Sequence, residues 1–239
     1  MKKTPLLLLF CLLSAASFSQ IKRGVTLSKV PYDSSYGFTL YEKLNFYLGG
    51  DSMRYDPKGY SASGWYEDFW ESGQMLHRGY YVEGHLKFYK NFYEHGQLER
   101  EFKSEFNKAS MTIYYPNGKF RAQIDYFNGN SIKETDYYDN GQIEFAEEYD
   151  KDGVYVMRNF FYENGKPQSS LALADAKKKY FDSKEYFDNG NMKEQGQLHY
   201  NKGIGDFQKE GKWLEYNSAG KLIAERVFSK GEMSTEKLY

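Results

Sequence analysis

The sequence predicts an all-β protein: an array of antiparallel β-hairpin repeats that forms an elongated twisted sheet or a β-solenoid. Three observations predict it. A motif of two aromatic residues, two turn residues, a glycine and a polar residue recurs along the chain, apolar and polar residues alternate after this glycine, and aromatic residues make up 19% of the 239 residues. Aromatic side chains favour strands, and an alternation with a period of two separates the two faces of a strand.

The first stretch, residues 1–19, has the composition of a secretory signal peptide. Lys2 and Lys3 give a positive start, an apolar run follows at residues 6–13, and small residues come after that run. This order is typical of a signal peptide, and the run is shorter than the roughly 20 residues that span a bilayer. We therefore expect cleavage after Ser19, export to the periplasm, the outer envelope or the medium, and no transmembrane segment in the mature chain.

Charge and cysteine content exclude several classes of function. Without Lys2 and Lys3, the 32 basic residues fall to 30 against 33 acidic residues, so the formal charge is −3. This balance offers no basic excess that would bind nucleic acid. The single cysteine, Cys11, lies within the apolar run, so the mature chain is expected to have neither a disulfide nor a thiolate metal site.

The recurring motif occurs seven times. Its copies are residues 69–74, 92–97, 114–119, 137–142, 161–166, 186–191 and 216–221. Asn-Gly stands at the turn in four copies, and both residues tolerate the positive φ that tight hairpin turns need. Because a single hairpin is marginally stable in water, we expect the copies to stack and to share an apolar face. After Gly118 the alternation places four residues on that face: Phe120, Ala122, Ile124 and Tyr126.

The ends of the array and one internal segment depart from the motif. Residues 20–58 are predicted to form an N-terminal cap or a degenerate first repeat, residues 59–239 to form the repeat domain, and residues 221–239 to close its other end. Residues 171–179 are rich in alanine and lysine, as in a helix. The short spacing between the flanking glycines favours an irregular strand and a basic loop over that helix.

These residues resemble a known repeat. The unit, with its period of about 23 residues, is similar to the MORN-repeat variant found in proteins named as YwqK-type antitoxins, and the resemblance covers about residues 60–231. The clearest copies are residues 137–142 and 161–166 and the lead-in to the last copy at residues 211–216. The resemblance implies a β-hairpin scaffold that contacts proteins or lipids.

Candidate catalytic groups are few. The mature chain has four histidines, His77, His85, His95 and His199. His77 and His85 are close enough in sequence to approach each other across a turn, but no third ligand has the spacing of a zinc site. The acidic residues that recur at the first turn position fit turn chemistry and solubility better than an acid–base pair. We therefore predict no catalytic residue, no metal site, no cofactor and no enzymatic activity.

The aromatic pairs of the motif form the candidate binding surface. Adjacent residues of a strand point to opposite faces, so the pairs form two ladders. The first ladder is Phe69, Phe92, Tyr114, Tyr137, Phe161, Tyr186 and Tyr216, and the second ladder, which we predict to bind a partner, is Trp70, Tyr93, Tyr115, Tyr138, Tyr162 and Phe187. A two- or four-residue loop puts the second ladder on the packed face, and a three-residue loop with glycine at a bulge reverses this. The alternative is that both ladders only stabilise cross-strand pairs.

The leading functional hypothesis is an exported, non-enzymatic scaffold that mediates protein–protein interaction in the cell envelope. Two alternatives stay open. One is a glycan- or cell-wall-binding module, because aromatic rings stack on sugars. The other is an antitoxin-like neutraliser of a partner protein. The scaffold and the antitoxin-like neutraliser would each bind a protein partner, and the wall-binding module would bind a glycan. No hypothesis includes nucleic acid as a partner.

Overall fold

The computed structural model describes residues 21–27, 32–33, 38–151 and 153–239, and the predicted signal peptide lies outside them. The strands are β1 (Lys22–Leu27), β2 (Tyr32–Asp33), β3 (Phe38–Thr39), β4 (Gly64–Trp70), β5 (Met75–Val82), β6 (His85–Phe92), β7 (Leu98–Glu105), β8 (Lys108–Tyr114), β9 (Phe120–Phe127), β10 (Asn130–Tyr137), β11 (Ile143–Tyr149), β12 (Tyr155–Phe161), β13 (Pro167–Asp175), β14 (Tyr180–Tyr186), β15 (Met192–Asn201), β16 (Asp206–Tyr216), β17 (Leu222–Ser229) and β18 (Glu232–Leu238). One helical turn, α1 (Leu40–Lys43), and a 3-10 turn (Phe46–Leu48) precede β4.

The structure confirms the predicted all-β array of hairpins, in the form of one open, twisted sheet of 16 strands. From β4 to β18, each strand pairs antiparallel with the next strand of the chain. The strand β1 joins the sheet in parallel with β4, and β2 and β3 form a separate pair. The sheet is therefore built almost wholly from contacts between sequence neighbours.

The motif glycines form the turns along one edge of the sheet, which we call the turn edge. In the copy at residues 114–119, the Gly118 amide donates to the Tyr115 carbonyl at 2.9 Å, and the Tyr115 amide donates to the Lys119 carbonyl at 2.9 Å. The same two bonds recur in all seven copies. Gly118 has a φ of +84°. This is the three-residue hairpin loop with glycine at the bulge, as in the second predicted loop alternative. The predicted consequence, that the second ladder leaves the packed face, is wrong because a further bulge shifts the strand.

A further bulge follows each turn and corrects the predicted alternation. Tyr114 pairs with Phe120, whereas its neighbour Ile113 pairs with Ala122. Because directly paired residues share a face and adjacent residues do not, Phe120 and Ala122 lie on opposite faces. The extra residue between them adds one position to the strand, which a period of two cannot reveal. The second ladder consequently shares the face of Ala122, and the first ladder shares the face of Phe120.

The main core lies on one face of the N-terminal strands, which we call the front face. Residues 41–48 pack against it, with Tyr41 and Leu44 buried among Tyr66, Tyr89 and Phe102. The rings of Tyr89 and Phe102 stack with centroids 5.5 Å apart. From β10 onwards the described strands bury few side chains completely, namely Phe181, Trp213 and Ala224. The hydrophobic core is thus concentrated at one end of the array.

The segment at residues 171–179 agrees with the predicted strand and basic loop. The strand β13 continues to Asp175, and a turn of residues 176–179 leads into β14. Asp175 stabilises this turn, because its carboxylate accepts hydrogen bonds from the amides of Lys177 and Lys178 at 2.9 and 3.0 Å. No helix replaces a strand here.

Candidate functional site

The second ladder lies on the front face at the turn edge, and all six of its residues are half-buried. Its polar atoms bond to the next copy of the motif. Tyr115 donates its hydroxyl to the Tyr137 carbonyl at 2.7 Å, and Tyr138 donates to the Phe161 carbonyl at 2.8 Å. The other donors with the same bond are Trp70, Tyr93 and Tyr162. These rings therefore link successive copies, and their predicted contact with a partner stays a prediction.

The first ladder lies on the opposite face, which we call the back face. Each of its residues pairs with the residue that follows the next turn, for example Tyr114 with Phe120 and Tyr137 with Ile143. The Phe120 ring also contacts Tyr137 of the next copy, with centroids 6.0 Å apart. Phe120 and Ile143 are 45% and 38% exposed. We call the surface formed by these pairs the back-face stripe, and it runs along the turn edge from Phe69 to Leu222.

A large open cavity of about 1300 Å³ lies at the N-terminal end of this stripe. Phe92 of the stripe lines it together with Trp65 and Phe88. Its charged lining includes Lys90 and Lys103, which both bond to Glu101, at 3.1 and 3.2 Å. The cavity therefore has an apolar wall and a charged wall.

A buried polar network holds residues 41–48, which we call the helical segment, onto the front face. The Asp68 carboxylate accepts hydrogen bonds from both terminal nitrogens of Arg54, at 2.6 and 2.9 Å, and from the Tyr41 hydroxyl at 2.8 Å. The Val25 amide of β1 donates to the same carboxylate at 2.8 Å. Because Arg54 forms a hydrogen-bonded ion pair with it, the pKa of Asp68 is lowered although burial opposes the shift.

His77 extends this network into the next strands. Its Nδ1 lies 2.7 Å from Asn91 Oδ1 and its Nε2 lies 2.9 Å from the Tyr81 hydroxyl. The Tyr41 ring stacks on the imidazole, with centroids 3.8 Å apart. Burial lowers the pKa of His77 to about 4, so the ring is neutral at pH 7. Since His77 and Asp68 are 0% and 1% exposed, these groups cannot contact a substrate, and they stabilise the N-terminal core.

Sequence reasoning missed this network. Arg54 and Tyr41 lie outside the repeat, so no periodicity marks them as partners of Asp68. The structure also separates the two histidines that the sequence placed near each other: His77 bonds to Asn91 and Tyr81, whereas the His85 ring packs on Phe46 at 3.9 Å. Among the described residues, no group of three or more His, Cys, Asp or Glu side chains is placed to hold a metal ion.

His95 lies in an exposed turn, where its Nε2 is 3.1 Å from the Pro116 carbonyl. The same edge carries hydrogen bonds between turns: Asn140 donates to the Glu163 carbonyl at 2.9 Å, and Lys119 donates to the Asp139 carbonyl at 3.0 Å. Turn residues thus join neighbouring copies, as the second ladder does. In the described part of the chain, no helix is both long and apolar enough to cross a membrane.

Comparison with known proteins finds one family of similar repeats. The family described as MORN repeat variant matches residues 132–154, 182–200 and 209–230. No curated protein matches the chain. Two solved structures share weak likeness. A mutant of TarM from S. aureus, crystallised with Fondaparinux, alpha-GlcNAc-glycerol and UDP, is 9% identical over 36% of this chain and 18% of its own, with a TM-score of 0.27. The TcdB2-TccC3-TEV structure is 11% identical over 88% and 13%, with a TM-score of 0.23. This chain spans less than a fifth of either protein.

Proposed function

Taking the MORN-variant repeats of this chain as the premise, we propose that it is an exported, non-enzymatic scaffold that binds another protein in the cell envelope. The observation that carries the proposal is the back-face stripe. It presents apolar side chains from every copy of the motif on one edge of one face, and Phe120 and Ile143 are exposed members of it. The large cavity continues it towards Trp65.

The composition of this surface fits a protein partner. Interfaces concentrate binding energy in aromatic anchors that are surrounded by polar groups. The stripe has aromatic residues such as Tyr114 and Tyr137, and beside it lies the charged row that contains Lys90 and Glu101. The near-neutral net charge of the chain favours recognition by such local complementarity over attraction by the whole molecule.

The second ladder contributes less direct surface in this proposal. The hydroxyl of Tyr138 already has a backbone acceptor, and burial raises its pKa, so it stays a protonated donor to that carbonyl. We therefore propose that the second ladder keeps the copies in register while the first ladder contacts the partner. In the alternative, the second ladder contacts the partner and the first ladder does not. The following experiment distinguishes the two assignments.

The experiment is site-specific photo-crosslinking in the native cell envelope. A photo-reactive phenylalanine analogue is placed at Phe120 or Ile143 on the stripe, at Tyr138 on the second ladder, and at Met233, which is exposed on β18, as the control. We expect one protein, identified by mass spectrometry, at both stripe positions and not at Met233. The purified partner should then bind the full chain, and Phe120→Ser should weaken that binding. Capture at Tyr138 alone would assign the surface to the second ladder.

A glycan- or wall-binding module is the second candidate. An aromatic row that reaches the cavity favours it, because Trp65 lines the cavity and its ring centroid lies 5.4 Å from that of Tyr80, and such rows can stack on sugar rings. Retention of the chain by purified cell wall, lost in Trp65→Ala and kept in Trp213→Phe, would support this candidate. If the captured protein is instead a toxin whose activity the chain abolishes, the antitoxin-like alternative applies.

A further inference from the structure

A second, smaller pocket lies at the centre of the sheet on the front face. Three directly paired residues cross it: Asp136 on β10 pairs with Phe145 on β11, which pairs with Phe160 on β12. The two phenylalanine rings lie with centroids 4.9 Å apart. With Glu144 and Arg158 these residues line an open cavity of about 430 Å³. At the corresponding level of β8 and β9 the front face bears Ile113 and Ala122 instead.

The charges around this pocket do not balance. Glu134 pairs directly with Glu147 across β10 and β11, and like charges opposite each other destabilise a sheet. Arg158 compensates one of them, since it donates to Glu147 at 3.0 Å. Asp136 and Glu144 form the remaining acidic wall of the pocket.

The environment of Asp136 also indicates that a positive charge is missing from the pocket. Its Oδ1 atom is buried and has no hydrogen-bond partner, a condition that buried polar atoms rarely show. Burial raises the pKa of Asp136 and the negative charge of Glu144 raises it further, against the opposing effect of Arg121. Burial, Asp136 and Glu147 likewise raise the pKa of Glu134. Each of these carboxylates would gain from an additional positive charge.

We propose that this pocket binds an arginine side chain of the partner protein, with the guanidinium against the Phe145 and Phe160 rings and bonded to Asp136 and Glu144. The pocket lies on the face opposite the back-face stripe, and Asp136 is only two residues from Tyr138 at the turn edge, so the partner would reach the pocket around that edge. This inference rests on the proposed function and names the chemistry that the partner presents. A guanidinium is planar, stacks on aromatic faces and donates in a fork that matches carboxylates. It would place a positive charge beside the Asp136 carboxylate, whose Oδ1 atom has no partner of its own. Lysine satisfies the charge but lacks the planar fork.

The test measures binding of a capped tri-arginine peptide to the full chain by titration calorimetry, with tri-lysine and tri-citrulline peptides for comparison. Tri-arginine should bind more tightly than tri-lysine, and tri-citrulline, which keeps the shape and lacks the charge, should not bind. The double variant Asp136→Asn and Glu144→Gln should weaken tri-arginine binding at least tenfold. Arg158→Gln, which releases Glu147, should strengthen it.

A matched control removes the same two charges elsewhere. Asp139→Asn with Glu163→Gln changes two exposed turn residues and should leave the affinity for tri-arginine within twofold. Equal weakening by both double variants would show attraction by net charge alone and would overturn the proposal, as would equal binding of tri-citrulline. If crosslinking identifies a partner but tri-arginine does not bind, the scaffold function stands and this inference falls. The acidic variants relieve repulsion, so they are expected to fold.

Discussion

Lowering the pH should loosen the N-terminal core through His77. In the folded chain Nε2 accepts from the Tyr81 hydroxyl, and Nδ1 donates to Asn91, so the neutral ring satisfies both neighbours. A proton on Nε2 would remove that acceptor and would place a second buried cation near Arg54. Burial accordingly lowers the pKa of His77 to about 4 from its ordinary value of 6.5.

The sign of the effect follows from proton linkage. Between pH 6.5 and about 4 the unfolded chain binds a proton at His77 and the folded chain does not, so the free energy of unfolding falls as the pH falls. The full loss is about 3 kcal/mol, at 1.36 kcal/mol for each unit between the two pKa values, and about 2 kcal/mol of it should occur between pH 7 and pH 4.5. The lowered pKa of Asp68 acts at still lower pH.

The assay is urea denaturation at pH 7 and pH 4.5, followed by tryptophan fluorescence in the background Trp213→Phe. The remaining indoles, Trp65 and Trp70, then report on the N-terminal strands. We expect the pH-dependent loss to shrink by about 2 kcal/mol in His77→Gln, and to persist in His95→Gln, which changes an exposed turn histidine. An equal loss in the His77→Gln variant and in its parent would refute the reasoning.

Three further predictions concern the repeats, each measured by urea denaturation of the full chain. Tyr138→Phe should lower the free energy of unfolding by about 1 kcal/mol, because a backbone carbonyl loses its donor. Tyr137→Phe, whose hydroxyl bonds to an exposed side chain, should cost less, and the reverse order would contradict the linking role. Gly141→Ala should cost about 1 kcal/mol or more, because φ there is +94°; no change would mean that the loop relaxes. Gly196→Ala should destabilise and shift Trp213 emission, because a Cβ would clash with that ring; unchanged emission would count against this contact.

The repeat was predictable because its determinants are local. The turn glycines, such as Gly118 with its positive φ, are visible as a recurring letter, and they specify where each hairpin reverses. The bulge between Phe120 and Ala122 was not predictable, because it arises from how two paired strands accommodate the loop. That one-residue shift decides which ladder lies on the packed face, so the sequence alone could not determine which ladder forms the candidate binding surface.

The buried network and the central pocket were hidden from the sequence for another reason. Arg54 reaches Asp68 from a segment that has no repeat, and the partnership depends on how that segment crosses the sheet. Asp136 and Phe145 lie on adjacent strands in a register that only the bulge defines. Residue type alone therefore marks these positions as ordinary acidic, basic and aromatic residues of a strand.

The hydrogen bonds of the second ladder have a direction that affects how such arrays change length. The tryptophan and the tyrosines of the ladder bond to the backbone of the following copy, as Tyr115 does to Tyr137, and a carbonyl at that position is present whatever its side chain. An inserted or deleted copy would therefore find the same acceptor, and neither neighbour would need compensating substitutions. Each copy adds two strands, or about 10 Å of sheet width, so the number of copies fixes the span between the ends of the stripe. The length of the sheet can therefore change by whole copies without any change in the contacts between copies.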